Sequence, residues 1–249
     1  MRRPNALLRL FCFPYAGGST AAFRTWPAQL SEDVEVVGIE LPGRNFRRSE
    51  RPPRDAQTAA AGFCDAVASE LSVPFALYGH SVGALLAYEV AHTLRTRGLP
   101  MPLALFVSGR KPPHDLKTGR RYGSLPDSTL LATVAELGGV PDLVLREPEL
   151  RQMMTPVLRA DLAIAEQYPY AERSPLDQPL FVYAAESDPL LDINQISEWS
   201  YHSAAQCKVR RYRGGHFFIQ DTGSSFLKDL AVDLRSLSPF SKSQQASAR

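Results

Sequence analysis

The chain has 249 residues, 44% hydrophobic and 22% charged, which suits a single globular α/β domain with a full core. A formal net charge of +2 gives no reason to expect nucleic acid as a partner. The three cysteines are odd in number and spaced for neither a disulfide framework nor a metal site, so Cys12 and Cys207 are expected as buried thiols in a reducing cytoplasm.

Met1-Arg2-Arg3 is basic, but the apolar run behind it breaks at Pro14 and Gly17-Gly18. It is too short for a signal peptide, and no stretch reads as a membrane span. Leu8–Phe13 reads as a buried strand ending in the turn-rich loop 14–19. Residues 20–30 are predicted helical, with Ala22, Phe23, Trp26 and Leu30 on one face. A second strand spans 34–39, and Leu41-Pro42-Gly43-Arg44 opens a basic connection to Pro53. A helix is predicted over 55–71, with Ala59, Phe63, Ala66, Val67 and Leu71 inward. The third strand, 74–78, leads into a helix over 82–97 closed by Gly98. Strands follow at 103–107, 180–184 and Cys207–Tyr212, then a last helix over 226–237. The Ser/Gln/Lys-rich tail 238–249 is expected to be disordered.

Strands alternating with helices predict a largely parallel sheet of about six to seven strands, covered on both faces. One stretch breaks the alternation. Between the fourth and fifth strands lie about seventy residues without a strand, far more than an ordinary crossover needs. Asp127 can cap a helix carrying Leu130, Leu131, Val134 and Leu137, stopped by Gly138-Gly139. A second helical stretch, 148–167, contains Pro156, which should kink or divide it. The expected organisation is one domain over 1–237, with a helical lid at about 120–170 over the carboxyl edge of the sheet, where open α/β folds bind ligands.

Gly79-His80-Ser81-Val82-Gly83 sits where the third strand meets its helix. A serine between two glycines at such a junction is the pattern of a nucleophile elbow, because the tight turn has no room for a Cβ at either glycine position. A serine hydroxyl needs a base, and the base needs an acid to orient it. Of five histidines, His80 adjoins Ser81 but should point away, His92 is mid-helix and off the core face, and His114 and His202 lie in polar contexts. His216 directly follows the sixth strand behind two glycines and is the preferred base, with His114 as runner-up. The acid should follow the fifth strand, where Asp188 is preferred over Glu186 and Asp192. Two donors must meet the developing oxyanion: the Val82 N–H, and one from the loop 14–18, Ala16 or alternatively Tyr15.

With these regions placed, the chain resembles the type II thioesterases of polyketide and nonribosomal peptide assembly lines, a branch of the α/β-hydrolase superfamily. The resemblance rests on Phe13-Pro14-Tyr15-Ala16-Gly17-Gly18, Leu41-Pro42-Gly43-Arg44, Gly79-His80-Ser81-Val82-Gly83-Ala84 and Val107-Ser108-Gly109-Arg110. Leu158-Arg159-Ala160-Asp161, Asp188-Pro189, Trp199 and Gly214-Gly215-His216-Phe217-Phe218 complete it. Two departures stand out. Val82 replaces a frequent Met or Leu, and an upstream strand found in some relatives has no counterpart in the short N-terminal segment.

The resemblance implies a substrate held as a thioester on the phosphopantetheine arm of an acyl or peptidyl carrier protein, and a role in editing stalled or wrong acyl units. It implies Ser81, His216 and Asp188 as the catalytic set, with no metal or diffusible cofactor, and a cytoplasmic, monomeric enzyme. Tyr15, Met153, Met154, Leu158, Leu162 and Phe217 are expected to line the acyl and pantetheine channel. Carrier proteins of this kind are acidic. Two basic clusters could meet one: Arg44, Arg47, Arg48, Arg51 and Arg54, or Arg110, Lys111, Lys117, Arg120 and Arg121. The other readings are a carboxylesterase or lipase of the same fold, and a non-catalytic relative that only binds.

Overall fold

The computed structural model describes residues 3–115, 121–221 and 225–237; Met1, Arg2, Lys117, Arg120 and the tail 238–249 lie outside the described residues. Six strands form one sheet: β1 (Leu8–Phe13), β2 (Val34–Gly38), β3 (Phe75–His80), β4 (Leu105–Ser108), β5 (Leu180–Ala185) and β6 (Cys207–Tyr212). The order is β2-β1-β3-β4-β5-β6, and every pairing is parallel. The strands read from the sequence are all present, because fully apolar runs suit a sheet buried on both faces. β3 shows this best. All its residues are buried. Phe75 and Leu77 join one apolar cluster and Ala76 and Tyr78 the other, as a two-residue repeat requires.

Helices α1 (Ala56–Val67) and α2 (Val82–Thr96) cover the first face with Phe63, Leu85 and Leu94, while α6 (Phe226–Arg235) covers the second with Phe226, Leu230 and Leu234. Asp55 caps α1 by accepting from the Thr58 N–H at 2.6 Å. The strand order reverses at β1, which has β2 on one side and β3 on the other. The carboxyl ends of β1 and β3 therefore open side by side at a topological switch point. That junction holds both the loop 14–19 and Ser81.

Three local expectations change. Residues 20–30 form two 3-10 turns, Thr20–Phe23 and Trp26–Ala28, not one helix. Pro27 lacks the N–H that a continuous helix needs there, yet Phe23, Trp26 and Leu30 are still buried on the second face. Asp127 is the first residue of its helix rather than its cap. Pro126 holds the cap position, and Asp127 Oδ1 accepts instead from Arg159 Nη2 at 2.6 Å. Pro156 does not divide its helix. Its ring and Gln152, whose carbonyl loses a partner, are both exposed, so water can satisfy that carbonyl.

The insertion between β4 and β5 contains α3 (Asp127–Glu136), α4 (Asp142–Arg146) and α5 (Pro148–Glu166). The short α4 has no counterpart in the sequence reading. The insertion has its own apolar cluster, Leu130, Leu131, Val134, Val140 and Leu158. Among the described residues, no helix is long and apolar enough to cross a membrane. Cys12, Cys64 and Cys207 are all unpaired. Cys12 is buried as expected, but Cys207 is only half-buried because β6 is an edge strand with one side open.

Candidate active site

Ser81 lies in the sharp turn between β3 and α2 with φ +57° and ψ −117°, a left-handed conformation costly for a residue with a Cβ. The surrounding packing enforces it. A Cβ on Gly79 would fall 2.0 Å from Gly83 O, and one on Gly83 would fall 2.2 Å from Phe13 O. The Ser81 N–H donates to Ser108 O at 2.8 Å, which ties the turn to the end of β4.

His216 and Asp188 reach this turn from β6 and β5. The loops after these strands are tied together by Glu186 N–H donating to Tyr212 O (2.8 Å) and Ser187 N–H donating to Gly214 O (3.1 Å). His216 Nδ1 donates to Asp188 Oδ2 at 2.7 Å, with both side chains almost wholly buried. Asp188 Oδ1 accepts from the Leu190 N–H at 2.9 Å, so both carboxylate oxygens are engaged. With the proton held on Nδ1, Nε2 is the nitrogen left to act as a base. His216 and Ser81 line the same cavity, although among the described residues Ser81 Oγ makes no hydrogen bond. Such contacts commonly tighten only when substrate binds.

The competing residues do not meet His216: Asp192 lines the same cavity, but no competing acid bonds the imidazole. Glu186 and Asp192 are exposed, and Asp192 accepts from the Asn194 N–H. His114 bonds His202 Nε2 (2.8 Å) and Glu198 (3.1 Å), away from Ser81. His202 is buried rather than in a polar setting, and its Nδ1 meets Tyr88 OH at 3.1 Å. Burial, then the nearby His114 and Arg173, pushes the His202 imidazole down to about 4. His92 is also buried, not off the core face as expected. Its helix is covered almost all round by sheet and neighbouring chain. His80 is fully buried under His216, with ring centroids 5.0 Å apart, and its Nδ1 bonds Ser108 Oγ at 2.7 Å. Ser108 Oγ also meets Tyr78 OH at 2.6 Å. Burial, reinforced by His216, holds His80 well below the usual imidazole range, so the His80 ring is neutral near neutral pH.

Two residues expected to supply backbone donors border this space. Val82 opens α2, where N–H groups have no partner within the helix. Ala16 follows β1, and both residues line the cavity with Ser81. Among the described residues, neither the Ala16 nor the Val82 N–H has a hydrogen-bond acceptor. Tyr15, the alternative, lines a neighbouring cavity of about 610 Å³, and its hydroxyl accepts from Gln220 Nε2. The Gly17 N–H does not face the site, because it donates to Asp161 Oδ2 at 2.8 Å.

The cavity around Ser81 has a volume of about 480 Å³. Of the side chains expected to line it, only Leu162 does so. Met154 lines the neighbouring cavity with Tyr15. Leu158 is wholly buried in the apolar cluster of the insertion. Phe217 packs edge-on against Tyr15 at 4.8 Å and meets His216 at 5.0 Å, behind the base. Met153 is 64% exposed and lines neither cavity, because it lies on the solvent side of α5. The remaining walls include Tyr122, Glu166, Tyr168, Leu190 and Leu191, which the sequence reading missed. Leu162, Ala165 and Glu166 lie three and four residues apart on α5, so that helix face could have been followed past Leu162.

The basic clusters divide on folding. Arg44 is buried against Asp161 at 2.7 Å and is unavailable to a partner. Arg47 pairs with Glu50 at 2.5 Å and Arg54 with Asp55 at 3.2 Å, while Arg48 and Arg51 are exposed. In the second cluster Arg110 and Lys111 belong to the cavity wall, and burial lowers Arg110 to about 10. Lys111 lies 3.6 Å from Asp115, and Arg121 is exposed. Among the described residues, no group of three or more His, Cys, Asp or Glu side chains is arranged to hold a metal ion.

Residues 8–231 match the family described as thioesterase domain. The chain is 33% identical to the gramicidin S biosynthesis protein GrsT of Aneurinibacillus migulanus, over 92% of this chain and 90% of that one. It is 33% identical to the thioesterase PikA5 of Streptomyces venezuelae, over 93% and 82% of the two chains. Among solved structures, it is similar to RedJ, the thioesterase of the prodiginine pathway in Streptomyces coelicolor. The TM-score is 0.86 at 40% identity, covering 93% of this chain and 87% of RedJ. It is also similar to BorB, the type II thioesterase of the borrelidin cluster, with a TM-score of 0.84 at 32% identity, covering 93% and 94% of the two chains.

Proposed function

The chain belongs to the thioesterase family, as a type II thioesterase of polyketide or nonribosomal peptide biosynthesis, and we propose that it frees acyl groups from a carrier protein through a serine nucleophile. The observation that carries this mechanism is the buried 2.7 Å contact between His216 and Asp188, facing the same cavity as a serine held at positive φ.

In this reading Ser81 Oγ attacks the thioester carbonyl carbon and gives its proton to His216 Nε2. Asp188 holds the imidazole in the tautomer that leaves Nε2 free, and stabilises the imidazolium once it forms. The carbonyl electron pair moves onto oxygen, where the Val82 and Ala16 N–H groups receive it. Collapse breaks the carbon–sulfur bond, and His216 returns its proton to the leaving pantetheine thiol. Water then gives a proton to His216 and attacks the acyl-serine. The second collapse breaks the ester, restores the Ser81 hydroxyl and releases a carboxylic acid. Each step uses only this chain's side chains, its backbone and water.

The insertion of α3, α4 and α5 acts as a lid over this cavity, and Leu162 forms part of the acyl wall. Exposed Arg48 and Arg51 are the docking candidates for an acidic carrier. The enzyme works as a monomer in the cytoplasm, where its three thiols stay reduced.

The test is release of free acid from an acyl group on a carrier's phosphopantetheine, measured by mass spectrometry beside a matched oxygen ester. Thioester turnover should dominate, and Ser81→Ala should abolish it. Faster turnover of the ester would make the protein a carboxylesterase. No turnover of either substrate, with no fluorophosphonate labelling of Ser81, would make it a binding protein.

A further inference from the structure

The loop carrying the Ala16 N–H is held through four backbone groups around it: Tyr15 O, the Gly17 N–H, the Gly18 N–H and Gly18 O. Residues 15–18 form a tight turn closed by the Gly18 N–H donating to Tyr15 O at 2.9 Å, with Gly17 at φ +72° in its third position. The Gly17 N–H donates to Asp161 Oδ2 at 2.8 Å. Gly18 O accepts from Arg44 Nη1 at 2.7 Å. Arg44 and Asp161 are in turn joined by two parallel bonds, Nη1 to Oδ2 at 2.8 Å and Nη2 to Oδ1 at 2.7 Å. Their side chains are only 5% and 1% exposed.

These contacts come from distant parts of the chain. Arg44 ends the Leu41-Pro42-Gly43-Arg44 segment after β2, and Asp161 lies on α5 in the insertion. Stability is a poor reason for such a pair, since replacing a buried ion pair by apolar residues of equal volume is often neutral or stabilising. A fork that fixes one N–H and one C=O of a four-residue turn does something an apolar pair cannot: it sets the rotation of the Ala16–Gly17 peptide plane and anchors Gly18, whose N–H in turn holds the carbonyl of the Tyr15–Ala16 peptide. Among the described residues, Arg44 Nε has no partner, and the guanidinium makes its hydrogen bonds through the two nitrogens that reach Asp161 and Gly18.

We infer that Arg44 and Asp161 are positioning residues, holding the Ala16 N–H on the path of the developing oxyanion and making the insertion helix α5 part of the catalytic apparatus. This rests on the serine mechanism above, and on Ala16 as the second oxyanion donor. Neither residue touches the reacting atoms. Their effect belongs to the transition state, because a misdirected donor harms the oxyanion far more than the ground-state carbonyl.

The experiment compares wild type with Asp161→Asn and Arg44→Lys, each first checked for native circular dichroism. Asp161→Asn keeps the shape but removes the charge, while Arg44→Lys keeps the charge but cannot fork. On a carrier-bound acyl thioester, kcat is expected to fall about 10- to 100-fold, with KM within about threefold. An alkyl boronate that forms a tetrahedral adduct on Ser81 should lose affinity by the same factor. Binding of the acyl-carrier thioester, measured with Ser81→Ala added to each variant, should not change.

Boronate affinity and kcat within about twofold of wild type in both folded variants would overturn the inference, as would a KM effect alone. Unfolding of both variants would assign the pair to folding and overturn it equally. A wild-type enzyme with no Ser81-dependent thioester hydrolysis is a distinct outcome, which removes the serine mechanism and this inference with it.

Discussion

Ser81 owes its exposure at the head of α2 to two residues that have no side chain. Its φ of +57° is tolerated because the glycines on either side let β3, α2 and β1 close around it. Gly83→Ala would place a methyl 2.2 Å from Phe13 O, an atom of the sheet that cannot move cheaply. The variant is expected to lose at least about 3 kcal/mol of stability, or not to fold, as urea denaturation would show. His216→Ala leaves the fold intact and should cut kcat at least about 10³-fold, with a smaller effect on KM. Steady-state kinetics on a carrier-bound thioester checks this, and activity within a few-fold of wild type would mean that another base serves Ser81. The sequence placed Ser81 and His216 by motif and chain order. It preferred Asp188 but could not exclude Glu186 and Asp192 by pattern, because a choice among carboxylates in one short loop turns on side-chain direction.

At the scale of elements, the strands were legible because each is an apolar run of fixed period. The turns at 20–30 and the unbroken α5 were not, since solvent exposure decides how much a proline costs. In α5, Leu158 is wholly buried in the insertion's small cluster. Leu158→Ala is expected to destabilise by about 2–5 kcal/mol and to loosen the insertion, detectable as faster amide exchange in α3 and α5. A second consequence concerns the segment Ile196–His202, whose last residue packs under Tyr88 of α2. The His202 imidazole is held at about 4, below its ordinary value, so the folded state favours the neutral ring. That stability is fully present above the unfolded value near 6.5 and is lost as pH falls towards 4. Between pH 7 and 5, His202 should account for about 2 kcal/mol of the loss in unfolding free energy, alongside the buried His80 and His92. The loss should be smaller by that share in His202→Asn, measured by urea unfolding at the two pH values.

At the scale of the whole molecule, the question is where a carrier protein approaches. Of the first basic cluster, Arg44 is buried and Arg47 and Arg54 are paired, which leaves Arg48 and Arg51 facing water. Charge reversal at both, Arg48→Glu with Arg51→Glu, is expected to raise KM for a carrier-bound acyl group about tenfold while sparing a small free thioester. Raised salt should mimic the effect in wild type. Equal losses on both substrates would move docking elsewhere on the surface.

The sequence by itself determined the parallel sheet, the tight Gly79–Gly83 turn and the chain order of Ser81, Asp188 and His216 at its strand ends, because these depend on local periodicity and on glycines in a crowded turn. It could not assign the walls of the Ser81 cavity or the partners of its basic residues. Met153 turned to solvent, Leu158 to the insertion's own core and Arg44 into the interior. The tertiary structure alone decided these, since residues 117 positions apart, such as Arg44 and Asp161, meet only when two connections fold over the same sheet edge. Which face of a helix is wet, and which charge finds a buried partner, are properties of the packed molecule and leave no local pattern to read.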